Sequence, residues 1–212
     1  MRLAAMLLAL SFYGRAVVID RIAVVVGKYV IKTSDIDRDL RLTSFLNNEP
    51  LSLSASARKV AAERLIDQQV IRAEIAAGGY SRATDSDADA MLRQIQHDRF
   101  GNSGARMTAE LQRYGLTEDQ LRSQLLWQLT VLKFIQQRFQ PGVVVSDEDV
   151  QAYYTQHVAE LRRQYSGDSS FPTLEPKIRS QLEGDAVNHE FETWLSEARK
   201  RTTIKYHQEA LQ

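Results

Sequence analysis

The apolar positions of this chain follow two periods: short β-branched runs near its ends, and a three-to-four-residue spacing across most of what lies between. Val17 to Val26 is rich in valine and isoleucine and predicts a strand. Gly27-Lys28 is a turn signal and Tyr29 to Lys32 a second short strand, so the pair predicts a hairpin. Thr33-Ser34-Asp35 supplies candidate caps for a helix carrying Ile36, Leu40 and Phe45 on one face, ended by Pro50. Ser54 or Ser56 opens a longer helix through Val60, Leu65, Ile66, Val70, Ile71 and Ile75, closed by Gly78-Gly79. Thr84 or Ser86 opens the next, with Ala88, Met91, Leu92 and Ile95 at helical spacing. Gly101 to Gly104 predicts a loop, and Thr108 to Tyr114 a short helix.

Thr117 and Gln120 fit a capping box ahead of a helix whose stripe is Leu121, Leu125, Leu129, Leu132, Ile135 and Phe139, widened by Trp127 and Phe134. After Pro141-Gly142, the acids following Ser146 suit the positive end of a helix dipole. The stripe there is Val150, Tyr153, Tyr154, His157, Val158 and Leu161. Turn chemistry fills Tyr165 to Pro172. Beyond Pro172 and Pro176 a last long helix runs through Ile178, Leu182, Phe191, Trp194 and Ala198. Gly184 lies in its middle, costs about 1 kcal/mol relative to alanine, and is a candidate bend. Thr202 to Tyr206 alternates as a strand. The expected fold is mainly α, about six helices, with a small sheet made from the N-terminal hairpin and the C-terminal strand. Terminal strands that pair would bring the two ends of the chain together.

Composition narrows the chemistry. The 212 residues carry 27 basic and 27 acidic side chains, so no strong field gathers nucleic acid. The absence of cysteine excludes disulfides, zinc-thiolate sites and a thiol nucleophile. No phosphate-cradling glycine loop, HExxH or GxSxG sequence occurs. Of the histidines, His189 next to Glu190 comes nearest to a metal pair and reads as an exposed helix face, and His157 reads as packing or capping. Asp85, Asp87 and Asp89 run into an amphipathic helix and read as dipole partners rather than a calcium loop. No catalytic residue, metal ligand or cofactor is expected.

The first sixteen residues, MRLAAMLLALSFYGRA, place a basic Arg2 before an apolar run, with Gly14 and Ala16 at the spacing of a cleavage site. The run is too short to span a bilayer, which takes roughly 20 residues. The expectation is a signal peptide over 1–16, cut at Ala16, an exported protein, and no stable membrane insertion. Removing Arg2 and Arg15 leaves 25 basic residues against 27 acidic. The remaining aromatic and methionine side chains are mostly core, but a minority are candidates to line an apolar groove for unfolded chains. Chosen on apolar character, these are Phe45, Met91, Phe100, Met107, Tyr153 and Tyr154.

Four segments resemble the SurA-type periplasmic chaperones, related to PrsA-like and trigger-factor-like chaperone modules. VIDRIAVVVGKYVIKTSDID is similar to the aspartate-led strand pair that opens the mature family. ERLIDQQVIRAEIAAGGYS is similar to its E-x-L-I-x-x-x-L-(I/L)-x-x-x-A-x-x-x-G signature. LTEDQLRSQLLWQLTVLKFIQQRFQPGVVVSDEDVQAYYTQH is similar to its helix pair, and LEPKIRSQLEGDAVNHEFETWLSEARKRTTIKY to its closing helix and strand. The resemblance implies one chaperone domain over 17–212, composed of 17–163 and 174–212 around a linker at 164–173. In that family parvulin prolyl-isomerase domains are inserted at this linker. About ten residues cannot hold a domain, which needs at least roughly 50. The resemblance therefore implies an ATP-independent chaperone in the periplasm, escorting unfolded, nascent or outer-membrane polypeptides without catalysis. A divergent prolyl isomerase is one alternative; an assembly subunit with a fixed partner, or a homodimer, is another.

Overall fold

The computed structural model describes residues 20–165 and 167–212. The expected signal segment and cut at Ala16, residues 17–19 of the first strand, and Ser166 of the linker lie outside the described residues. The chain is mainly helical with a small antiparallel sheet. Strands β1 (Ile22–Val26) and β2 (Tyr29–Lys32) form the expected hairpin, with Gly27 at φ +57° in its turn, a conformation open to glycine without strain. Strand β3 (Ile204–Tyr206) pairs with the other edge of β1, Val24 facing Tyr206. The ends of the described chain therefore meet in one sheet of order β2-β1-β3.

Seven helices lie between β2 and β3 among the described residues: α1 (Thr33–Asn47), α2 (Ala55–Gly78), α3 (Asp85–Phe100), α4 (Gly104–Arg113), α5 (Glu118–Arg138), α6 (Asp147–Gln164) and α7 (Phe171–Lys200). Caps explain most of the boundaries. The Thr117–Gln120 box forms as expected, each partner's side chain bonding the other's backbone N–H at 2.9 and 3.2 Å. Thr84–Asp87 and Ser146–Asp149 make the same box. Gly79 closes α2 in the left-handed region.

The structure corrects several boundaries. Helix α1 already includes its three expected caps, starting at Thr33 with Lys32 in the cap position, and its first turn is held from outside: the Asp20 carboxylate accepts from the Ser34 backbone N–H at 3.0 Å and its hydroxyl at 2.6 Å. Helix α4 starts at Gly104, inside the expected loop, because Ser103 accepts from the Arg106 N–H and caps it there. Helix α7 begins at Phe171, ahead of both prolines that were expected to precede it. Pro172 falls in the first turn, where no N–H would have found a helical acceptor, and Pro176 removes only one ladder bond. The helix continues without interruption through Gly184. Along α2, Val60 is exposed rather than part of the core stripe.

Four apolar clusters organise these elements. The sheet (Ala23, Val24, Ile31) packs on Ile36 of α1 and Ile66 of α2, closed by Ala210 and Leu211 of the C-terminal 3-10 turn. A second joins Phe45, Phe100, Met107, Leu111, Leu121 and Leu125 from α1, α3, α4 and α5. A third joins Ile71 and Ile75 of α2, Trp127 and Phe134 of α5, and Phe139, with Phe191 and Trp194 of α7 against them. The fourth, Val150, Leu161, Leu174 and Ile178, lies between α6 and the first half of α7.

Candidate polypeptide-binding groove

Helix α2 is flanked by the β1–β2 hairpin, by α5 and by the second half of α7, and its accessible face is the floor of three adjoining depressions. Gln69 borders all three. One, of about 350 Å³, lies toward β2 and α1, between Val30, Leu42, Leu65 and Gln124. The second, of about 450 Å³, lies between the hairpin turn and α7, bounded by Tyr29, Ala73, Trp194 and Ala198. The third, of about 490 Å³, runs toward α5 and is bounded by Tyr29, Arg72, Ile75, Arg82, Leu126 and Trp127. They share lining residues and so form a grooved surface across α2, more apolar around the second and third depressions and mainly polar in the first, where Asp35, Arg38 and Asp39 stand beside Gln68 and Gln69. Tyr29 and Val30, on the edge strand, are among the exposed large apolar side chains.

Charge along the groove is mostly paired. Asp39 accepts from Arg64, and its burial raises its carboxyl above the ordinary value although Arg64 opposes the shift. Arg199 of α7 bridges Glu63 and Asp67 of α2; burial raises the Asp67 carboxyl too, against the pull of Arg199. Arg138 holds Glu74 and the Tyr80 hydroxyl. Arg72 differs. Its guanidinium carbon lies 3.6 Å from the centre of the Trp127 ring, and crowding by protein, then repulsion from Arg82, depresses its pKa.

The six residues expected to line a groove do not come together. Phe45 and Met107 are fully buried and Phe100 nearly so. They belong to the second core cluster, where Phe45 stacks on Phe100 with ring centres 6.3 Å apart. Their apolar character reflects helix packing, so in this structure they are not accessible to a client. Met91 is exposed on α3, away from the groove walls. Tyr153 and Tyr154 sit in the α6–α7 hairpin: Tyr153 accepts from Gln181 at 3.0 Å, and Tyr154 donates to the Ser169 carbonyl at 2.9 Å. His157 stacks on Tyr153, its ring nitrogen near Glu160, and so packs as expected.

Sequence reading missed Tyr29, Gln69, Arg72 and Arg82. The available signal was Trp127, an aromatic off the leucine stripe of α5. No group of three His, Asp or Glu side chains able to hold a metal occurs among the described residues, and no described helix is long and apolar enough to cross a membrane. No family model and no curated protein matches the chain.

Proposed function

We propose that this protein is an exported, ATP-independent chaperone of SurA type that binds unfolded polypeptides, including outer-membrane clients, and does so without catalysis. The observation that carries the reading is the groove across α2. It sets apolar side chains such as Tyr29, Leu65, Leu126 and Trp127 beside polar ones that can hydrogen-bond a peptide backbone, Gln68 and Gln69 on α2 and Ser123 and Gln124 on α5. Such a surface suits an extended chain of variable sequence, because backbone groups are common to all clients and apolar contacts are non-directional.

Two further features support it. The resemblance of four segments to the SurA family follows chain order, and β1 and β3 pair as the closing strands of that module would. Residues 165–170 alone connect α6 to α7, which leaves no room for an isomerase domain at the place where that family carries one. The test is aggregation of a chemically unfolded outer-membrane protein diluted into buffer. The protein is expected to suppress light scattering near stoichiometric amounts without nucleotide, and to leave the rate of a proline-peptide isomerisation assay unchanged. Scattering unaffected by a several-fold excess would refute the chaperone reading; accelerated isomerisation would refute the non-catalytic part.

A further inference from the structure

Resting on the groove as a peptide site, we propose that its α5 end is a carboxylate pocket, in which Arg72 takes the free C-terminus of an extended apolar client. The guanidinium of Arg72 lies over the Trp127 ring at 3.6 Å, so its flat face is engaged and its N–H donors, which lie in the plane of the group, are left free. Among the described residues none of those donors makes a hydrogen bond or an ion pair, whereas Arg64, Arg138 and Arg199 beside the same helix each hold a carboxylate. Trp127 is itself buried and fixes the plane on which the guanidinium rests.

The surroundings favour an anion over any other occupant. Arg82 adds a second positive charge, and no Asp or Glu borders this part of the groove. Loss of hydration first, and then repulsion from Arg82, act against the Arg72 cation, and the charge of a bound carboxylate would offset both. A planar fork of donors matches the two oxygens of a carboxylate. The space, about 490 Å³ with Tyr29, Ile75 and Leu126 on its walls, accommodates an apolar side chain next to the charge. A chain terminus satisfies these demands together, because its carboxylate and last side chain branch from the same carbon. An internal Asp or Glu would carry its charge on a stem, with the chain continuing past it on both sides.

The experiment uses the full-length mature protein and three labelled ten-residue peptides rich in Phe and Leu: one with a free C-terminus, one amidated, and one amidated with an internal Glu. Fluorescence anisotropy measures each affinity. The free acid is expected to bind about tenfold more tightly than its amide, the effect of one charge-assisted hydrogen-bonded pair. Arg72→Ala should erase that difference, acid and amide then binding alike, and Arg72→Lys should restore it only in part, since an ammonium cannot fork. Equal affinities of acid and amide for the wild type overturn the carboxylate pocket. An internal Glu that matches the free acid overturns the assignment to a terminus. If no peptide binds, the pocket falls too, and aggregation suppression by the same preparation then shows whether the chaperone reading survives. Melting curves accompany the variants; were Arg72→Ala unfolded, the acid–amide comparison on wild type decides alone, with Arg82→Ala expected to reduce the difference.

Discussion

Phe134 and Ile178 are both buried on long helices, yet their surroundings differ in kind. The Phe134 ring meets Tyr80, Trp194 and Phe139 edge-on, with centres 4.9, 5.4 and 5.8 Å away, and packs beside Ile71 and Ile75. Those partners come from α2 and the loop after it, from the residue that caps α5, and from α7, segments mostly far apart in sequence. Ile178 packs with Val150, Leu161 and Leu174, all from α6 and the adjoining turns of α7. Only residues 165–170 separate those helices, so closing this hairpin restricts little chain. Its polar ties are local as well: Arg179 donates to the Val145 carbonyl at 2.9 Å, and Asp168 accepts from the Ser170 backbone N–H and the Thr173 hydroxyl at the start of α7. The comparison teaches that the region bearing the groove is held by long-range packing, whereas the hairpin is held by its immediate neighbours and is the part expected to open first.

The strongest test of that contrast is Phe134→Ala. Removing a fully buried ring from a core of this kind costs about 3–5 kcal/mol. Because Phe134 ties α5 to α2, to α7 and to the segments that follow α2 and α5, the loss should lower the global unfolding midpoint in urea, with all amides of α2, α5 and the end of α7 affected alike. Ile178→Ala should cost about 2–5 kcal/mol, felt where its neighbours are. Hydrogen exchange is expected to lose protection in α6 and the first turns of α7 while α2 and α5 keep theirs. Uniform loss across the molecule would mean that hairpin and body unfold as one unit.

The two regions were unequally legible in the sequence. The stripes of α6 and of α7 near Ile178 face a single partner and can be read directly from spacing. Helix α5 faces two. Leu121 and Leu125 point to the α1–α3–α4 cluster, and Trp127 and Phe134 to α2 and α7, so one continuous leucine stripe was an incomplete description. Leu132, placed on that stripe, is exposed as a result. Fold class, hairpin and capping boxes are set by neighbours a few residues apart, and the sequence displays them. The groove is not: Arg72 and Trp127 meet across two helices, and nothing in the spacing of either helix announces that contact. Phe45, Phe100 and Met107 were candidates for the opposite reason, since apolar character is shared by core and binding surface alike.

Acid offers the finest distinction. The Asp87 carboxyl is held down to about 2 by the Thr84 backbone N–H first, then by Lys133 and the Thr84 hydroxyl. Its folded pKa lies below the ordinary 3.8, so the stability it lends is complete above that value and is lost as pH falls toward 2. Asp87→Asn should therefore unfold more readily than wild type at pH 6, with the two denaturation midpoints converging between about pH 4 and pH 2. A gap that stays constant with pH would assign the effect to helix capping alone.

The pairing of β1 with β3 bears on when the protein becomes complete. Val24 and Tyr206 are partners across the sheet although nearly the whole chain separates them. As the polypeptide emerges from N- to C-terminus, β1 can find β2 at once, but its other edge stays bare until β3 arrives. An open strand edge is a template for foreign chains. Between the synthesis of β1 and that of β3 this edge is open backbone, and the pairing of β3 is what closes it.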